Sequence, residues 1–338
     1  MDETASNACF ARLDQVAKPI GSLGKLEELL ARIAAVTRTP DIDITQKAVT
    51  VFCADNGVTR RGVAQGGHEV TTAIAGILGC GKASVSVMAK ACGADVFNVD
   101  VGMVDTVIGL RDCKLMRGTG DMTEGPAMSR KIAVKAVMIG VEMVRELKNK
   151  GYRLIATGEA GIGNTTAASA VCAVLLSCSA QEVTGRGAGL DDAGLCRKIA
   201  AIEQAITVNK PNAMDSLDVL HKVGGLDIAA MAGVFLGGSL YRMPIVMDGF
   251  ISGAAALVAV RLRPDVKGYI LPSHESEEPG AHFLMKEFGF SPVIQAGMRL
   301  GEGTGAVALF PLLDMAQAVY RDAATFADIQ VEQYKRTI

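Results

Sequence analysis

The chain has 338 residues, 49% of them hydrophobic, enough for one large α/β domain with an appendage or for two domains. A formal net charge of −2, no Trp and only 4% aromatic residues argue against a nucleic-acid binder, which needs basic surface and stacking rings. Apolar runs such as 251–260 are too short to cross a membrane, and residues 1–13 lack the basic and apolar regions of a secretory signal.

Residues 1–38 read as helical. One helix is expected over 8–17, then a turn from Lys18 to Gly24, then a second helix in which Leu26, Leu29, Leu30 and Ile33 repeat at three-four spacing. From there the pattern changes. Ala48 to Ala54 is a short apolar run ending in Asp55-Asn56-Gly57. Similar runs follow at 95–101, 153–157, 244–247, 268–271 and 292–296. Between them lie helical stretches at 70–91, 130–148, 165–176, 190–208, 227–240, 250–261 and 280–287. Short apolar strands alternating with helices specify a mostly parallel sheet covered on both faces. Six strands suit an open, doubly wound sheet better than a closed eight-stranded barrel. The stretches 59–68 and 102–128 read as long loops, which are more often functional than idle. The chain is expected to close with helices at 306–318 and 322–334. The division expected is a large α/β catalytic domain over 39–312 and a small helical domain from 1–38 with 313–338.

None of the eight cysteines forms a C-x-x-C pair or sits at zinc spacing with a histidine. They read as small, reduced core residues, and the expected location is cytoplasmic.

In a doubly wound sheet, ligands bind beyond the C-terminal ends of the strands. Those ends carry Asp55, Asp100, Asp248, Ser273-His274, the stretch 299–302 and a glycine turn, Gly158-Glu159-Ala160-Gly161-Ile162-Gly163-Asn164-Thr165-Thr166. Strand, glycine turn and helix together aim backbone N–H groups at an anion, so residues 161–166 read as a phosphate-holding turn. Glu159 is the odd member, because a carboxylate repels an anion unless it faces another group. Gly301-Glu302-Gly303-Thr304-Gly305 repeats the arrangement and sets a carboxylate between glycines. In an apolar cleft such a carboxylate has a raised pKa and suits a general base. Lys198, on the polar side of an apolar helix, reads by itself as solvated. His274 and His282, with Glu275, Glu277 and Glu278, are open to two readings, a metal site or the solvated start of a helix. Gly76 to Ala83 nearly spells a P-loop but follows a helix and lacks its Ser or Thr; Gly185-x-Gly187-x-Gly189 follows no strand.

Eight stretches in one order resemble the nicotinate-nucleotide–dimethylbenzimidazole phosphoribosyltransferase family of the cobalamin lower-ligand pathway. They are Lys18 to Leu23, Ala54 to Val58, Gly158 to Thr166, Gly187 to Asp191, Gly224 to Gly233, Asp248 to Ala256, Ser273 to Gly280 and Arg299 to Ala306. The resemblance implies transfer of phosphoribosyl from nicotinate mononucleotide to a benzimidazole-type base, releasing nicotinate and inverting the anomeric carbon. By the family's pattern Glu302 is the general base, and Glu159 and Lys198 are the other polar groups of the site. Gly161, Ile162, Gly163, Asn164, Thr165 and Thr166 would hold the 5′-phosphate, with Asp248, Ser276, Gly301 and Gly303 around the nucleotide. The resemblance also implies a six-stranded parallel domain, a small helical domain from both chain ends, and a homodimer. Neither metal nor organic cofactor is called for, because the pyridinium of the donor is itself an activated leaving group. This chain departs from the family pattern at Asn56, where His is frequent, and at Gly66-Gly67, where a bulkier aromatic–proline pair is frequent.

Two other readings compete. A nucleotide-dependent oxidoreductase on the same architecture needs a glycine fingerprint at the first strand, and that is missing. A non-catalytic nucleotide sensor predicts binding without turnover, and Glu302 inside a matched motif speaks against it.

Overall fold

Apolar runs without polar alternation must be buried on both faces, and that requirement sets the architecture. In the computed structural model, which describes residues 1–335, six strands form one parallel sheet: β1 (Lys47–Ala54), β2 (Ala94–Gly102), β3 (Arg111–Asp112), β4 (Leu154–Ala160), β5 (Ile245–Met247) and β6 (Ile270–Pro272). Their order is β3-β2-β1-β4-β5-β6. All of β1 and β4 is buried, and β1 feeds two cores: Ala48, Phe52 and Ala54 on one face, Val49, Val51 and Cys53 on the other.

The helices are α1 (Glu3–Gln15), α2 (Lys25–Thr37), α3 (His68–Gly79), α4 (Ser84–Ala91), α5 (Arg130–Asn149), α6 (Asn164–Leu176), α7 (Ala180–Val183), α8 (Asp192–Asn209), α9 (Ser216–Val223), α10 (Leu226–Tyr241), α11 (Phe250–Leu262), α12 (Pro279–Phe288) and α13 (Thr304–Asp322). α5 to α12 build the first core, and α1 to α4 with α13 build the second. α1 packs on α2, and α2 on α13.

Three expected elements differ. The run 292–296 is not a strand: Ile294 makes a single parallel bridge to His274, and the Pro292 carbonyl is taken by the Lys25 ammonium at 2.8 Å. The sixth strand is instead β3, two exposed polar residues in the stretch read as a loop, with no apolar pattern to betray them. The helix expected over 70–91 is two helices, α3 and α4, parted at Cys80 to Ala83, where Gly81 has φ +69°. That break also divides residues 68–91, the only helical stretch among the described residues apolar and long enough to cross a membrane. No helix forms over 323–334. There the Asp328 carboxylate accepts from Thr325 N and Oγ1, both at 2.7 Å, a local turn that competes with helix. Thr325 instead pairs antiparallel with Val16, tying the last part of the described chain to the first. The short helices α7 and α9 are additional to the expected set. Residues 336–338 of the expected small domain lie outside the described residues.

The tightest helix pair is α5 on α10. A Cβ at Gly140 would overlap the Ala230 carbonyl oxygen and lie 2.7 Å from Val234 N, and one at Gly233 would overlap the Val137 carbonyl oxygen. Glycine is therefore required for main chain to meet main chain. Gly140→Ala is expected to lower unfolding stability by about 3 kcal/mol, since the helices must part to admit the methyl. Urea denaturation measures it, and a loss under about 0.5 kcal/mol would show that the pair is loosely packed.

Candidate active site

After β1 the chain turns to one face of the sheet, toward α3, and after β4 it turns to the other, into α6. A crevice must open between the two strand ends, and a cleft of ≈ 1010 Å³, open mouth included, lies there.

Its floor is the glycine turn. Gly161 packs so closely on the Ala54 carbonyl oxygen of β1 that a Cβ would overlap it. Gly163 has φ +89° and starts α6, with Asn164 N and Thr166 N bonded back to Gly161 and Gly163 carbonyls at 3.1 and 3.0 Å. Thr71 Oγ1 accepts from Ile162 N at 3.1 Å, and the Asn56 amide donates to the Ile162 carbonyl at 3.3 Å. The first turn of α6 thus opens on the cleft through Gly163, Asn164 and Thr165. Lys198, from α8, is fully buried behind it and donates to Thr165 Oγ1 at 2.8 Å and to the Gly185 carbonyl at 3.1 Å. Because Thr165 Oγ1 accepts from Lys198, its own hydrogen is available to an acceptor in the cleft. Burial pulls the Lys198 ammonium down to about 8, partly opposed by the charge of Glu278.

The wall across from this turn is the second glycine turn. Gly301, Glu302 and Gly303 have φ of +91°, +61° and +93° in succession. Arg38, Ser177, Lys210 and Arg242 also lie in the left-handed region, but each ends a helix, whereas Glu302 precedes one. That conformation costs a non-glycine residue about 1 kcal/mol. Its geometry is held from two sides. Asp248 accepts from Gly303 N at 3.2 Å and Ala306 N at 3.0 Å, capping α13, and Glu302 Oε2 accepts from Val85 N in the first turn of α4 at 3.2 Å. Burial raises the pKa of Glu302, the Val85 N–H opposing it and the charge of Asp248 adding to it.

Glu159 ends β4 between the two turns. Its carboxyl accepts from the Asn164 amide, which also donates to Asp227 Oδ2 at 2.9 Å. Burial, then the charge of Asp227, pushes Glu159 well above the ordinary carboxyl range; burial raises Asp227 to about 6. A protonated glutamate does not repel an anion on the neighbouring turn, so the upward shift eases the charge conflict apparent in the sequence.

The cleft brings together Glu302, Glu159, Gly161, Ile162, Gly163, Asn164, Thr165, Asp248, Ser276 and Gly301 of the residues singled out in the sequence. Lys198, Thr166 and Gly303 stand behind its lining. Asp248 lines the cleft but spends both oxygens on backbone N–H groups. The two histidines part company: His274 lines the cleft, whereas His282 is 75% exposed against Glu275 at 3.3 Å and lies outside the lining. Glu278, read from the sequence only as part of an acidic group with His274 and His282, also lines the cleft; Arg186 and Asp227 were not singled out as site residues. Asp227 had a signal, being the only polar side chain in the apolar run 226–233. Gly66 and Gly67 border a second cleft, which shares Ala64 with the first.

A family model described as a phosphoribosyltransferase matches residues 1–331. Curated relatives named nicotinate-nucleotide–dimethylbenzimidazole phosphoribosyltransferase include one from Acetivibrio thermocellus, 45% identical over 96% of this chain and 93% of the relative. Another, from Clostridium acetobutylicum, is 44% identical over 99% and 96%. Among solved structures, CobT from Thermus thermophilus superposes with a TM-score of 0.93 at 36% identity, covering 98% of this chain and all of that one.

The buried Lys198 gives stability a pH dependence. Its folded-state pKa is about 8, against 10.5 for the free side chain, so between these values the unfolded chain binds more protons and stability rises with pH. From pH 7.5 to 9.5 this contributes about 2 kcal/mol. Lys198→Met is expected to remove that increment from the wild-type curve. Paired urea titrations at the two pH values measure the difference, and equal changes in both proteins would place the ammonium in water.

Proposed function

The chain belongs to the nicotinate-nucleotide–dimethylbenzimidazole phosphoribosyltransferase family, and on that premise we propose how its cleft moves a phosphoribosyl group from nicotinate mononucleotide to a benzimidazole-type base, as part of cobalamin assembly. The observation that carries this reading is the pairing, in one cleft at the sheet's switch point, of a glycine-led helix start with the half-buried carboxylate of Glu302 on the opposite wall.

The 5′-phosphate sits on the turn Gly161 to Thr166, where the α6 N-terminus and the Thr165 hydroxyl attract it. The buried Lys198 supplies positive charge behind that turn. Across the cleft, the unprotonated nitrogen of the base attacks the anomeric carbon while the C–N bond to the pyridinium breaks. The bonding pair leaves with nicotinate, whose ring becomes neutral, so no metal is needed to draw it away. Attack from the opposite face inverts the anomeric carbon. The N–H proton that the base must shed goes to Glu302, a step worth about 10²–10⁴-fold. Glu159, between the two turns, is a further polar group of the site. The rest of the acceleration comes from holding donor and acceptor in line.

The assembly proposed is a homodimer. α3, α4 and α13 leave Ile77, Val87 and Met315 exposed, apolar surface that a second copy would cover. Sedimentation at assay concentrations tests this, and a lone monomer would remove it. The eight unpaired thiols support a reducing, cytoplasmic location.

Mixing the protein with nicotinate mononucleotide and dimethylbenzimidazole, without added metal, is expected to yield nicotinate and a ribazole phosphate by mass. Glu302→Gln is expected to bind the nucleotide but turn over at least about a hundredfold more slowly. Wild-type kcat/KM should rise with pH as Glu302 loses its proton, because only the carboxylate accepts one; the variant should lose that limb. A drop under about tenfold would take the base role away from Glu302.

A further inference from the structure

β6 runs into Ser273-His274, and the His274 imidazole is 3% exposed yet forms part of the cleft wall. The ring occupies a slot kept open by two glycines. A Cβ at Gly305 would overlap the ring at Nδ1, and one at Gly249 would sit 3.3 Å from Nε2. The tautomer of the neutral ring follows from its neighbour. Ser273 Oγ has one hydrogen and gives it to the Met247 carbonyl at 2.6 Å. Toward His274 Nδ1, 3.0 Å away, Ser273 Oγ can then only accept, so Nδ1 carries the hydrogen. In the neutral ring Nε2 is left with a bare lone pair, and it has no hydrogen-bond partner among the described residues.

We propose that His274 binds the nucleotide donor directly, its Nε2 accepting a hydrogen bond from a ribose hydroxyl. This rests on the reaction assigned above. A bare lone pair repels the ionised phosphate and the nicotinate carboxylate, so neither is its partner. At neutral pH the hydroxyls of the ribose are then the donors that nicotinate mononucleotide offers. Asp248, on the adjoining strand end, already accepts from Gly303 N and Ala306 N, one on each oxygen, whereas His274 Nε2 has no partner among the described residues. The glycines at 249 and 305 leave room for the ring in the cleft wall.

The test couples the ring to the hydroxyl. kcat/KM is measured for wild type, His274→Asn and His274→Gln on nicotinate mononucleotide and on its 2′-deoxy and 3′-deoxy analogues, with dimethylbenzimidazole saturating. The Asn amide can still reach Ser273 but lacks a group at the Nε2 position, whereas Gln restores an acceptor there. His274→Asn is expected to lose about 10- to 100-fold on the full nucleotide, but under about threefold on the one analogue that lacks the hydroxyl bound by Nε2. His274→Gln is expected to recover about tenfold of the loss on the full nucleotide and nothing on that analogue. Equal losses on all three donors overturn the proposal and leave the ring a structural wedge. A wild-type protein that makes no ribazole phosphate overturns the reaction itself and this inference with it, a failure visible before any variant is assayed.

Discussion

The site depends on how closely other main chains approach the end of β4. At Gly158 a side chain would overlap the Glu302 carbonyl, and at Gly161 it would overlap the Ala54 carbonyl. β4 is thus clasped by the α13 turn on one side and by β1 on the other. Both approaches need the absence of a Cβ, and together they fix the two walls of the cleft relative to one another. The position of Glu302 opposite the α6 N-terminus follows from backbone contacts that no side-chain movement can relax.

The same region concentrates buried charge. Glu159, Asp227 and Asp248 are buried and Glu302 is half-buried about the cleft, while Lys198 is buried behind the α6 turn against Thr165 and the Gly185 carbonyl. The fold answers with hydrogen bonds of unequal kind. Asp248 is satisfied by a helix start, Asn164 spans Glu159 and Asp227, and Glu302 has one backbone donor. Burial pushes Glu159 well above the ordinary carboxyl range, Asp227 to about 6 and Glu302 upward, so chemically alike groups differ in their readiness to hold a proton.

Most of the architecture was legible in the sequence because β1, β4 and β5 are short, mostly apolar runs and the glycine turns at 158–166 and 301–305 punctuate the chain. What escaped was set by tertiary contact. β3 is two polar residues that pair only because β2 offers an open edge, and Pro292 to Ala296 has strand composition but no partner to complete a ladder. At the site, Glu302, Glu159 and the glycine turn 161–166 carried local signals. Asp227 and His274 were visible as polar residues, but their roles were not, because those depend on partners far along the chain: Asn164 for one, Gly249 and Gly305 for the other. Lys198 reads as a surface lysine on its helix, and only the packing of α8 behind α6 makes it a buried cation.

The left-handed backbone at Glu302 puts two selective pressures in opposition. Glycine, or asparagine, would relax the turn by about 1 kcal/mol, so a screen that rewards thermal tolerance alone will tend to replace this residue. Under the base role proposed for Glu302, a screen for product formation will restore it. Position 302 therefore acts as a reporter of what a lineage or a library has been selected for: a relaxed residue there marks a chain kept for its fold, and a strained glutamate marks one kept for its chemistry.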